Sequence, residues 1–212
     1  RDVAPSRGLG DVYKDSDSRY LCKEAHAHSL YATVEIPDDD ALGLNTTDHF
    51  AYIVGYGNGE VRPQNNITRA EVATIFFRLL TDKTREQYWA TTNAYSDIKS
   101  GDWYNNAIST LSNAGIVSGY PDGTFRPNDA LTRAQAAVML CAFAAFTQDD
   151  VTARADLSAY SDAGQIPSWA MDAMQWANAR QLIIGRDSAH LAPTAATTRA
   201  EMASILSAYI RK

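Results

Sequence analysis

Three arginines sit in the same short setting: Thr68-Arg69-Ala70-Glu71, Thr132-Arg133-Ala134-Gln135 and Thr198-Arg199-Ala200-Glu201. Threonine followed three residues later by Glu or Gln is a capping box, in which hydroxyl and carboxyl or amide groups satisfy the first free amides of a helix. Each arginine is therefore predicted at the first helical position. A cation there opposes the helix dipole, at a cost of about 0.3–1 kcal/mol unless something offsets it. An anion offsets it. Helix N-termini offer amides to anions, and a guanidinium grips a carboxylate with two parallel hydrogen bonds. The alternative is internal: the arginines pair with acidic side chains where one copy of the pattern meets the next. Glu71, Gln135 and Glu201 are expected to act as caps.

The arginines are 64 and 66 residues apart, and other landmarks keep their register. Gly55, Gly119 and Gly185 each lie fourteen residues upstream of an arginine, and Pro63, Pro127 and Pro193 each lie six upstream. Tyr95-Ser96-Asp97 is repeated as Tyr160-Ser161-Asp162, Trp103 as Trp169 and Ala107 as Ala173. This is an internal repeat with three copies, the first lacking its front half.

Copy two shows what elements must position these residues. Ile108, Leu111 and Ala114 mark an apolar helix face over Asn105–Asn113, which Gly115 ends. Tyr120-Pro121-Asp122-Gly123 is a tight turn, retained in copy one as Tyr56-Gly57-Asn58-Gly59. Copy three reads Arg186-Asp187-Ser188-Ala189, so its loop is expected to run differently. The second helices continue through Val72–Leu80, Ala136–Ala145 and Met202–Ile210, with Ile67 and Val72 forming a hydrophobic staple around the first box. One helix–loop–helix unit is too small for a core of its own, so the three must bury one another. The expected segments are 1–44, an irregular arm in which 19–31 could form a helix; 45–94, the shortened first unit and linker; 95–158; and 159–212.

The run Ser118–Asn128, followed by Leu131–Gln135, resembles the S-layer homology (SLH) motif, and Tyr95–Asp97 with Trp103-Tyr104-x-x-Ala107-Ile108 resembles its opening. Asp48 through Leu80 is similar to the shortened first repeat of such proteins from Gram-positive anaerobes. The resemblance spans roughly 45–212. It implies a mainly α fold, three repeats in a pseudo-threefold bundle. It also implies an extracellular, monomeric, non-catalytic module that anchors exported proteins to the cell wall. The implied ligand is a secondary cell-wall polymer whose amino-sugar carries a pyruvate ketal, bound in grooves between repeats without a cofactor. The implied contacts are Arg69, Arg133 and Arg199 to the carboxylate, Asp97 and Asp162 to hydroxyls, Trp103 and Trp169 under the sugar ring, and the backbone around Gly55 and Gly119 beside Tyr120. The bland readings remain open: tryptophans as core, aspartates as helix caps, Gly119 and Pro121 as turn formers. Removal of the Arg133 side chain is expected to spare the fold.

Composition excludes several classes. The chain has 212 residues, 45% hydrophobic and 21% charged, which is too apolar for disorder. The longest apolar run, 136–146, has 11 residues against the roughly 20 that a membrane-spanning helix requires. A net charge of −6 with no basic cluster argues against a nucleic-acid partner. Two cysteines without a CxxC spacing make no zinc ribbon, and Cys141 reads as a small buried hydrophobe. His26 and His28 are too few for a metal site, and Asp38–Asp40 reads as a solvated run. A glycosidase needs two carboxyls facing one bond; Asp97 and Asp162 occupy equivalent places in different units. A protein–protein module on the same bundle is the competing function.

Overall fold

In a computed structural model of the chain, the structure describes residues 12–14, 20–22, 53–56 and 58–210. Six α-helices carry it: α1 Arg69–Leu79, α2 Asp82–Tyr88, α3 Asn105–Asn113, α4 Arg133–Phe146, α5 Met171–Ala179 and α6 Arg199–Ile210. Two short strands, β1 Val12–Lys14 and β2 Tyr20–Cys22, pair antiparallel. Strand occupies 20–22, inside the stretch 19–31 for which a helix is expected; the other residues of that stretch lie outside the described ones. The rest of 1–44, with His26, His28 and Asp38–Asp40, lies outside the described residues, as do Asp48–Tyr52 of the first unit.

The helices begin where the capping boxes place them. Thr68 and Thr132 accept the amides of Glu71 and Gln135, whose side chains return to the threonine amides; Thr198 and Glu201 do the same. Gly115, at φ +73°, stops α3. The second helix of one unit packs on the first helix of the next, α1 on α3 and α4 on α5. Along the axis Phe76 stacks on Phe143 at 4.7 Å, and Phe143 meets Tyr209 edge-on at 6.2 Å. Ile67 and Val72 are both fully buried, as the staple requires.

Three equivalent residues close the bundle into a ring. Ile67 donates its amide to the Thr197 carbonyl, Thr197 to Leu131 and Leu131 back to Ile67, at 2.7–2.9 Å. All three are fully buried. The cycle explains why the units cannot stand alone: each supplies a donor and an acceptor that only its neighbours complete.

Candidate functional site: the inter-unit junctions

The segment before each second helix docks on the preceding unit. Asp129 and Pro127 carbonyls accept the Arg69 and Ala70 amides at 3.1 and 2.9 Å. Ala195 and Pro193 do this for Arg133 and Ala134, and Asn65 and Pro63 for Arg199 and Ala200. The conserved proline register thus marks the acceptors of the first helical amides. This corrects one expectation from sequence. The helix N-termini do not offer free amides to a ligand, because the neighbouring unit already occupies them.

The arginine side chains reach into the same junctions. Arg69 donates from Nε to Phe125 O at 2.8 Å and from Nη2 to Ser118 O at 3.1 Å. Arg133 donates to Leu191 O at 2.8 Å and to Ile184 O. Arg199 donates to Val61 O at 3.0 Å and Val54 O at 2.7 Å. Each guanidinium clasps both ends of the next unit's turn, and unit three reaches back to unit one. All three side chains are buried. Burial pulls the guanidinium pKa of Arg69 and Arg133 below the ordinary arginine value, with nearby Tyr120 and Glu201 respectively opposing that shift. The clasp gives Arg133 a structural role whether or not it meets a ligand. Its loss strands two carbonyls, at about 1–3 kcal/mol for a buried group left without a partner.

Asp97 and Asp162 cap no helix; they hold the same turns from the other side. Asp97 accepts the amides of Phe125 and Arg126 at 2.8 and 2.7 Å, and Asp162 those of Leu191 and Ala192 at 2.8 and 2.7 Å. One peptide group is therefore gripped twice: Asp97 takes the Arg126 N–H while Arg69 takes the Phe125 C=O. Arg126 and Ala192 have φ of +56° and +53°, a left-handed conformation that non-glycine residues avoid. The aspartates secure it. Burial raises the Asp162 pKa, but the Leu191 and Ala192 amides outweigh it and leave that pKa below the ordinary value. The two carboxylates serve separate turns, so nothing in their bonding presents them as an acid–base pair.

The Tyr-Ser-Asp triplet proves to be a cradle. A Cβ on Gly119 would collide with the Tyr95 ring and sit 2.5 Å from Thr124 O, so the turn lies flat on the tyrosine only because residue 119 is glycine. Ser96 donates its amide to Gly123 O at 3.0 Å, and Ser161 to Ala189 O at 2.8 Å. Gly185 is held likewise, over Tyr160. At Gly55 the nearest obstacle is Glu60 O at 3.0 Å. The third turn keeps the closing bond, Arg186 N to His190 O at 2.9 Å, matching Tyr120 to Thr124 and Tyr56 to Glu60. It differs inside, where Asp187 accepts the Ala189 and His190 amides.

Tyr120 joins the first junction: Arg69 lies over its ring at 5.0 Å, and its hydroxyl accepts from Gln135 at 2.8 Å. Trp103 is half-buried at the core edge, its ring against Tyr104 at 5.1 Å, whereas Trp169 is 60% exposed. The sequence reading passed over Trp176, which is fully buried and donates to Asp150 O at 3.1 Å. Arg186, read from sequence only as a departure in the third turn, stands where the other units have tyrosine and bonds Glu201 at 3.0 Å. Its place directly after Gly185 was the available signal. Cys141 is free and half-buried. Among the described residues no group of three His, Cys, Asp or Glu side chains could hold a metal ion, and no helix is long and apolar enough to cross a membrane.

The model of the S-layer homology domain matches residues 51–73, 94–137 and 159–203. Cell surface glycoprotein 1 of Acetivibrio thermocellus is 42% identical over 105 residues, 49% of this chain and 4% of that protein. The cellulosome-anchoring protein of the same organism is 36% identical over 112 residues, 52% of this chain and 25% of its own length. An amylopullulanase of Thermoanaerobacterium thermosulfurigenes is 34% identical over 213 residues, 93% of this chain and 11% of the enzyme. The chain thus spans a quarter or less of these relatives. Three family matches fall on the three units, each of whose arginines clasps the turn of the next, and the chain belongs to the S-layer homology domain family.

Proposed function

We propose that this chain is a non-catalytic module that holds a protein at the bacterial cell surface by binding a pyruvylated secondary cell-wall polysaccharide in a groove between its units. The coarse role, anchoring at the cell surface, goes with the family and with relatives named as surface-layer and anchoring proteins. Where relatives carry enzyme names, the match covers a small part of their length, as an appended anchor would.

One observation carries the finer reading. Among the described residues the Arg69 guanidinium has only neutral partners, Phe125 O and Ser118 O, and its remaining nitrogen, Nη1, has none. A buried cation that no carboxylate pairs favours an acidic ligand, because burial weakens solvent screening of the attraction. A pyruvate ketal supplies one carboxylate fixed to a sugar. Tyr120, beside Arg69, offers a ring face and a hydroxyl. Asp97 and Gly119 act in this reading by shaping the turn, and Trp103 of the same unit, half-buried, offers its ring to the glycan. Arg133 and Arg199 hold the equivalent places at the other two junctions, with Asp162 and Trp169 in the unit facing the former and Gly55 in the unit facing the latter.

Retention on purified wall sacculi tests the reading. The chain is expected to sediment with sacculi and to be released when the pyruvyl groups are removed. Undiminished retention would contradict the reading and favour a protein partner or another glycan.

A further inference from the structure

The three junctions share one geometry but not one charge. The third helical residue of the neighbouring unit stands opposite the outer nitrogen of each arginine, and it is Glu71, Gln135 or Glu201. At the junction of units three and one, Arg199 Nη1 meets Glu71 Oε1 at 2.5 Å, with the side chains only 1% and 8% exposed. At the junction of units two and three, Glu201 Oε1 lies 3.9 Å from Arg133 Nη1 while Arg186 holds the same carboxylate at 3.0 Å. At the junction of units one and two the ring register puts neutral Gln135 in that place. Its oxygen accepts the Thr132 amide at 3.0 Å and its nitrogen donates to Tyr120 at 2.8 Å. Among the described residues no carboxylate pairs with Arg69; Asp129, whose backbone carbonyl takes the Arg69 amide, attracts it only from a longer range.

We infer that the third residue of the capping box is a charge gate that decides which junction accepts a carboxylate. Glu71 and Glu201 act as built-in carboxylates and shut their junctions; Gln135 leaves the Arg69 junction open, so the chain has one acidic-sugar site rather than three. The inference rests on the wall-polymer reading and specifies where that reading operates. A ligand carboxylate at Arg199 would have to displace Glu71 and leave a second negative charge buried beside the first, whereas at Arg69 it meets a guanidinium that no carboxylate pairs among the described residues. Gln and Glu serve the capping box equally well, so the gate can be exchanged without disturbing the helix start.

Calorimetric titration of the chain with a pyruvylated amino-sugar tests it. The parent chain is expected to bind one equivalent. Gln135→Glu, which keeps the capping box, is expected to lose at least tenfold in affinity. Glu71→Gln is expected to gain a second equivalent. Because it also breaks a buried ion pair, its thermal unfolding is followed in parallel, and if it fails to fold the Gln135→Glu result decides alone. A parent stoichiometry of two or three, or affinity within twofold of the parent in Gln135→Glu, overturns the gate while leaving the wall-polymer reading in place. No binding by the parent overturns that reading, and the gate with it.

Discussion

Arg69, Arg133 and Arg199 have two jobs that sequence spacing alone does not separate. Two nitrogens of each hold backbone carbonyls of the next unit; the third meets an acid in two junctions and, among the described residues, no partner in the first. The choice between ligand contact and cross-junction pairing therefore has a different answer at each arginine. That the arginines matter was legible from their register. Which partner each takes was not, because the partner lies roughly 50 to 145 residues away in sequence and only the closed ring brings it near. A second residue-scale asymmetry sits at the axis. Thr197 replaces Ile67 and Leu131 in the backbone cycle, and its hydroxyl is buried without a hydrogen-bond partner among the described residues. Thr197→Val removes that hydroxyl at nearly constant shape, so it is expected to raise stability by about 1–3 kcal/mol. Chemical denaturation measures this, and a loss of stability would mean the hydroxyl has a partner in solution.

The helix boundaries were readable because their signals are local. Capping boxes begin α1, α4 and α6, and Gly115 in the left-handed region ends α3 where expected. The turns were readable only as turns. Their true setting is the Tyr-Ser-Asp cradle more than twenty residues upstream, which no local rule connects to the glycine. The cradle predicts a contrast between equivalent glycines. Gly119→Ala must push a Cβ into the Tyr95 ring and the Thr124 carbonyl, so it is expected to cost about 1–3 kcal/mol, the range for overpacking. Gly55→Ala meets only the Glu60 carbonyl at 3.0 Å and is expected to cost less than half as much. Thermal melts of the two variants check this; equal losses would show that the tyrosine does not define the turn.

For the whole molecule, the backbone cycle of Ile67, Leu131 and Thr197 and the three arginine clasps make each unit a partner of both others. The ring creates three junctions of one shape, and side-chain differences then assign their charge. The account's central claim is that an acidic wall sugar is held where units one and two meet. A crystal structure of the chain with a pyruvylated amino-sugar tests it most directly. The account predicts a ligand carboxylate within hydrogen-bonding distance of Arg69 Nη1, with Arg199 still paired to Glu71. A sugar bound away from Arg69, or one that has displaced Glu71 from Arg199, would contradict it.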